Sequence, residues 1–313
     1  MSRYIDILNR GKDSLKEADI KDYNTDGWLL FEEAFSMDRA SYFVRQLDEC
    51  GDKRAEQTFY DMIKVRCTRV PLQHITGHQE FMGFDFKVNE HTLIPRQDTE
   101  CLVEETLHCI NELQKDKAYN TSKMSILDMC TGSGCIAISV AKLTAAKAAA
   151  EVISETDNKV KRESGVDITG VDISPEALQV ACINRSRHKA DNVTFIQSSL
   201  FEFCSDNSGM SWDIIVSNPP YIRTMEIEEL EDEVRLHDPR LALDGMEDGL
   251  YFYREITANA VKYLNNGGYL LYEIGCSQGQ EVSAIMKENG FTDIKVVKDM
   301  AGLDRVVTGK LNH

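Results

Sequence analysis

The chain has 313 residues and no apolar run near the roughly 20 residues of a membrane-spanning helix. Its N-terminus is too polar for a signal peptide. A cytoplasmic location with no membrane partner is the expectation. Nine cysteines include no Cys-x-x-Cys, and seven histidines make no metal-binding motif, so no metal is expected. Cys130 and Cys135 are expected as reduced thiols, not a bridge. Positive charge is short as well. Thirty-five Lys and Arg face 52 Asp and Glu, a net charge of −17. That weighs against a broad phosphate-binding surface but not against a local one, and no direct nucleic-acid contact is expected. An acidic chain can instead steer a basic protein loop. Prolines number six, and two of them are adjacent.

That pair lies in Asn218-Pro219-Pro220-Tyr221, which follows an apolar run, Trp212 to Ser217, read as a buried strand. Two prolines end pairing and stiffen the turn. Strand C-terminal ends are where open α/β sheets place ligands. An Asn oxygen and a nearby backbone carbonyl are two acceptors suited to both hydrogens of an NH2 group. Tyr221 adds a flat face for a planar group. The plain alternative is a strand-terminating turn.

Upstream, Met124 to Met129 reads as a strand running into Cys130-Thr131-Gly132-Ser133-Gly134 and then a helix. Glycines at such a turn let the backbone approach a ligand. A second strand, Val166 to Asp172, ends in an acid able to accept two ribose hydroxyls. Asp172 also reads as part of a helix start, with Ser174 capping and Pro175 in the first turn.

Asp128 to Gly134, Asp172 and Asn218 to Tyr221 together resemble the motifs of class I S-adenosylmethionine-dependent methyltransferases. The Asn-Pro-Pro-Tyr form is that of enzymes acting on a planar nitrogen. Pro71-Leu72-Gln73-His74-Ile75-Thr76-Gly77, Glu80-Phe81-Met82-Gly83 and Leu93-Ile94-Pro95-Arg96-Gln97-Asp98-Thr99-Glu100 narrow this further. With Glu273-Ile274-Gly275 and the stretch 299–307, they resemble the PrmC/HemK family, glutamine methyltransferases of peptide-chain release factors. The resemblance implies S-adenosylmethionine as cofactor. It implies cofactor contacts at Asp128, Met129, Cys130, Thr131, Gly132, Gly134, Asp172, Ile173, Ser199, Leu200 and Asn218. It implies catalytic roles for Asn218, Pro219 and Tyr221, and acceptor binding by Asn218, Pro219, Pro220 and Tyr221. A release factor is the implied partner, and a monomer is the expected state.

The chain departs from the family pattern in places. Cys130 stands where the family has glycine, which suggests a φ tolerable for a non-glycine residue and a slightly different turn. Gln97 replaces a common proline. Ser198-Ser199 replaces an acid before Leu200, so Ser199 or a backbone group is expected to meet the adenine amine. His74 replaces an aromatic and reads as structural.

The implied fold is Rossmann-like α/β: a seven-stranded, mostly parallel sheet with a late antiparallel strand, preceded by a small helical bundle and a β-hairpin linker. The expected division is 1–77 for a helical, substrate-recognising domain, 78–97 for the hairpin linker, and 98–313 for the methyltransferase domain. In the bundle, Ala55, Phe59, Met62 and Ile63 form an apolar stripe, and Trp28, Leu29, Leu30 and Phe35 a cluster. Phe84, Phe86 and Val88 alternate as a hairpin strand should. Late strands are expected near 269–274, 294–298 and 306–309. Asp128 and Asp172 stand farther apart than a strand–helix–strand unit of about 30 residues allows. The surplus, 145–164, reads as a helix extension plus a solvated loop.

Other readings stay open on the residues alone. A ribosomal-protein glutamine methyltransferase has the same requirements. A methyltransferase of nucleic-acid exocyclic amines shares Asn-Pro-Pro-Tyr but wants a basic groove. A nicotinamide dehydrogenase could use Gly132, Gly134 and Asp172, leaving Asn218 idle. A non-enzymatic binding protein would leave three motifs without a purpose.

Overall fold

The structure, a computed structural model, describes residues 2–115, 123–154, 165–205 and 209–312. It divides into two compact units. One is Met1–His78 with Leu230–His237, the other Gln79–Glu229 with Asp238–His313.

The first unit is helical: α1 (Tyr4–Glu17), α2 (Tyr23–Phe35), α3 (Arg39–Arg45), α4 (Lys53–Arg66) and α5 (Leu72–Thr76). Asp38 and Asp52 cap α3 and α4 by accepting backbone N–H groups. Phe31 sits at the centre, its ring 4.5–6.2 Å from those of Tyr4, Trp28, Phe35, Tyr42 and Phe59. In α4, Ala55, Phe59 and Ile63 are buried and Met62 is half-buried. Leu29 differs from expectation. Trp28, Leu30 and Phe31 turn inward, and Leu29 falls on the outer side of α2, 37% exposed. At Gly11 of α1 a Cβ would lie 2.3 Å from Phe59 Cζ, so the approach to α4 requires glycine.

The second unit opens with a hairpin, β1 (His78–Phe81) and β2 (Phe84–Lys87), then α6 (Gln97–Gln114). The alternation runs through β3 (Met124–Met129), α7 (Cys135–Ser154), β4 (Val166–Asp172), α8 (Pro175–His188), β5 (Val193–Gln197) and β6 (Trp212–Ser217). α9 (Asp232–His237) falls in the helical unit. There Glu233 pairs at 2.7 Å with Arg66, which also holds the buried Asp26 at 2.8 Å. That segment was expected in the methyltransferase portion. α10 (Arg240–Leu243), α11 (Tyr251–Tyr263), β7 (Leu264–Glu273), α12 (Gly279–Glu288), β8 (Phe291–Lys298) and β9 (Asp304–Leu311) complete the chain. α7 extends to Ser154, in line with a helix extension. The loop expected beyond it lies outside the described residues.

The main sheet has seven strands in the order β5-β4-β3-β6-β7-β9-β8. β9 runs antiparallel to both of its neighbours, and the other pairings are parallel. In β3, Met124 and Ile126 face α6 and α7, while Leu127 and Met129 face α11 and α12. Successive strands run from β3 out to β5, and β6 then returns to the other side of β3. The carboxyl ends of β3 and β6 therefore flank the point where strand order reverses, a place for a ligand.

Candidate active site

Four strand ends open onto one cavity of about 400 Å³. Its lining includes Met129 to Ser133 after β3, Asp172 and Ile173 after β4, Ser198 to Leu200 after β5, and Asn218 and Pro220 after β6. The facing wall has Thr92, Leu93, Arg96 and Thr99 at the approach to α6, and Leu241, Met246, Tyr251 and Phe252 near α10 and α11. Such a cavity suits a nucleoside-sized ligand.

The turn after β3 is braced from beneath. Asp128 is fully buried, and its Oδ2 accepts from Thr131 Oγ1 at 2.6 Å and from the Ala137 N–H at 3.2 Å. It ties the turn to the start of α7 and does not line the cavity. Burial pushes its carboxyl up to about 7. Gly134 is also outside the lining. Its φ is +77°, and a Cβ there would lie 2.8 Å from Phe195 Cζ, so it serves packing. Gly132 has open space around a Cβ position and exposes backbone to the cavity. Asn184 fixes the region to the hairpin, donating to the Lys87 and Ser133 carbonyls.

Cys130 corrects an expectation. Its φ is +62°, so the cysteine holds the left-handed conformation a glycine would take freely. Leu200 (φ +47°) and Met246 (φ +70°) are also left-handed and also line the cavity. Such conformations cost on the order of 1–3 kcal/mol each. Cys135 borders it too, its thiol pushed up to about 12 by burial.

Asp172 lies where expected and is less free than expected. Its Oδ2 accepts the Gly132 N–H at 2.8 Å and its Oδ1 the Ser174 N–H at 2.9 Å. Each oxygen keeps a second lone pair for a hydroxyl. Burial raises its pKa, while the Ser174 and Gly132 backbone bonds oppose the rise. Ser174 caps α8, accepting from the Ala177 N–H at 3.1 Å.

Ser217 Oγ donates to the Met129 carbonyl at 2.7 Å, pinning the end of β6 to that of β3. Asn218 follows, its Nδ2 donating to Thr99 Oγ1 at 3.3 Å. Pro219 and Tyr221 are not in the lining. The Tyr221 hydroxyl donates to Glu273 Oε1 at 3.4 Å, and its carbonyl accepts from Gln278 Nε2 at 3.1 Å. Glu273 is 2% exposed, and burial pushes its carboxyl up to about 7. Thr99 and Arg96 carried no assigned role in the sequence, although both stand in the family-like stretch 93–100. Arg96 reaches buried Asp238 at 2.8 Å. Leu241, Met246, Tyr251 and Phe252 had no motif to single them out.

Among the described residues no cluster of His, Cys, Asp and Glu could hold a metal ion. No described helix is long and apolar enough to cross a membrane.

Two family models match the chain: a methyltransferase domain over residues 120–299, and the PrmC N-terminal domain over residues 6–77. A release factor glutamine methyltransferase of Clostridium acetobutylicum is 38% identical over 303 residues, covering 96% of each chain. One from Fusobacterium nucleatum is 35% identical over 307 residues, covering 98% of this chain and 78% of its own. A solved release-factor-specific protein-(glutamine-N5) methyltransferase of Alicyclobacillus acidocaldarius is 28% identical, covers 73% of this chain and 100% of its own, and has a TM-score of 0.38.

Proposed function

The chain belongs to the release factor glutamine methyltransferase family, and from that premise we propose that it methylates a release-factor glutamine on the side-chain amide nitrogen. The acceptor is the glutamine of the Gly-Gly-Gln loop of class 1 release factors, a bacterial cytoplasmic substrate. One observation carries the reading. Asn218 lines the cavity at the end of β6 with Nδ2 turned to Thr99, which leaves Oδ1 as an acceptor for the substrate.

The strand-end residues of the cavity would hold S-adenosylmethionine. Spare lone pairs on Asp172 suit two ribose hydroxyls, and Gly132 presents backbone without a side chain. Ser199 and Leu200 line the cavity and would face the adenine. When bound, this cofactor supplies an electrophilic methyl group on a sulfonium sulfur.

An amide nitrogen is a poor nucleophile because its lone pair is shared with the carbonyl. Asn218 Oδ1 accepts one of its N–H groups; the Pro219 carbonyl, expected to take the other, lies outside the cavity lining. Held by Asn218, the nitrogen points its lone pair along one line and becomes more pyramidal. Much of the rate then comes from positioning. After transfer the nitrogen gives up one proton to water. Tyr221 supports the loop from behind through Glu273 and Gln278.

Incubation with methyl-labelled S-adenosylmethionine, a release factor, ribosomal proteins and RNA tests the reading. Label is expected on one release-factor glutamine. Label confined to ribosomal protein or RNA would overturn it.

A further inference from the structure

We propose that Thr99 is a positioning residue for methyl transfer: its hydroxyl fixes which end of the Asn218 amide meets the substrate, and the buried Glu273 carboxylate fixes the polarity of that hydroxyl. The inference rests on Asn218 as the group that holds the acceptor amide.

An asparagine amide has nearly the same shape either way round, so its partners decide its orientation. The productive one puts Oδ1 toward the substrate NH2, since two facing NH2 groups hold no acceptor. Thr99 Oγ1 enforces this by accepting from Asn218 Nδ2 at 3.3 Å. A hydroxyl has one proton. If that proton points elsewhere, only lone pairs face Asn218. Thr99 is 3% exposed, and its hydroxyl lies near enough to Glu273 to favour the charged carboxylate. Glu273 Oε1 takes the Tyr221 hydroxyl, while Oε2 is buried with no hydrogen-bond partner among the described residues. A charged carboxylate with an unpartnered oxygen calls for a donor, and Thr99 is the hydroxyl neighbour, besides Tyr221, that favours its charge. Both residues sit on rigid elements, Thr99 in the first turn of α6 and Glu273 at the end of β7.

The groups facing Glu273 come from four elements. Thr99 and Asp98 lie on α6, Tyr221 follows β6, and Arg305 lies on β9. Tyr253 of α11 donates to the Glu273 main-chain carbonyl at 3.0 Å. Thr99, Arg305 and Tyr221 favour the charge, and burial and Asp98 oppose it. The carboxyl therefore titrates at about 7. Once protonated it becomes a donor. The Thr99 proton is then released to face Asn218, which favours the flipped amide. Methyl transfer should slow as pH falls through about 7.

The test uses the full-length enzyme with intact release factor, measuring kcat against pH together with S-adenosylmethionine affinity. Thr99→Val should lower kcat by roughly 10- to 100-fold, the scale of a misplaced reacting group, with cofactor affinity unchanged. Thr99→Ser should restore most of the rate. Glu273→Gln should be slow and should lose the acidic limb near pH 7. Asp128 titrates in the same range, so a limb that survives in Glu273→Gln would assign it to Asp128 and overturn the part given to Glu273. Wild-type kcat in Thr99→Val would overturn the role of Thr99. So would a Thr99→Ser enzyme as slow as Thr99→Val, or cofactor affinity lost in step with kcat. If Thr99→Val does not fold, Thr99→Ala replaces it under the same criteria. A wild-type enzyme that leaves release factor unmethylated defeats the underlying reading instead, a separate result.

Discussion

At the end of β4, Asp172 holds two turns together by accepting the Gly132 and Ser174 N–H groups. Its place at a strand end, with Ser174 and Pro175 opening the next helix, was legible because caps and strand ends are local patterns. Its second bond was not, because the Gly132 N–H comes from another strand's turn. The conformation of Cys130 was hidden for a related reason. Cysteine at a glycine position suggests a φ tolerable for a non-glycine residue, yet the surrounding turn imposes +62°. Asp172→Ala should weaken S-adenosylmethionine binding by roughly 1.5–3 kcal/mol, the range for hydrogen bonds to a charged group. Isothermal titration would measure it. An unchanged dissociation constant in a folded variant would mean that the ribose is held elsewhere.

At the scale of elements, the strand ends and late antiparallel strands followed from alternation and motif order. β7 begins earlier than expected, at Leu264, because its first residues pair with the start of β6. The wall formed by Leu241, Met246, Tyr251 and Phe252 was not legible, since apolar residues on short helices carry no signal of which surface they face. Asp128 gives the β3 turn a dependence on pH. Its folded carboxyl titrates at about 7, against an unfolded value near 3.8. The folded form thus keeps a proton that the unfolded chain gives up. That stabilisation is fully present below about pH 4 and is lost as pH rises through 7. Its size is on the order of 4 kcal/mol. Glu273 acts in the same direction. The melting temperature without cofactor should fall between pH 5 and pH 8, and Asp128→Asn should flatten part of that slope. A variant with the wild-type slope would place the titration elsewhere.

Across the whole molecule, the cavity residues all belong to the second unit, which suggests that the helical unit selects the protein substrate. A chain beginning near Gly77 should bind S-adenosylmethionine yet lose activity on intact release factor. The truncation must first be shown folded, because it separates Glu233 of α9 from Arg66 and removes the bundle around that segment. Full activity in a folded truncation would place recognition in the second unit, in the stretch 223–249.

In the proposed mechanism Asn218 presents a glutamine amide nitrogen to the methyl donor. Tandem mass spectrometry of release factor after single turnover, with wild type and Asn218→Ala in parallel, tests it most directly. The account predicts one methyl on the amide nitrogen of the Gly-Gly-Gln glutamine with wild type. With Asn218→Ala it predicts a rate on the order of 100- to 1,000-fold lower, with cofactor affinity retained. A near-wild-type rate in Asn218→Ala, or a methyl on any other atom, would contradict it.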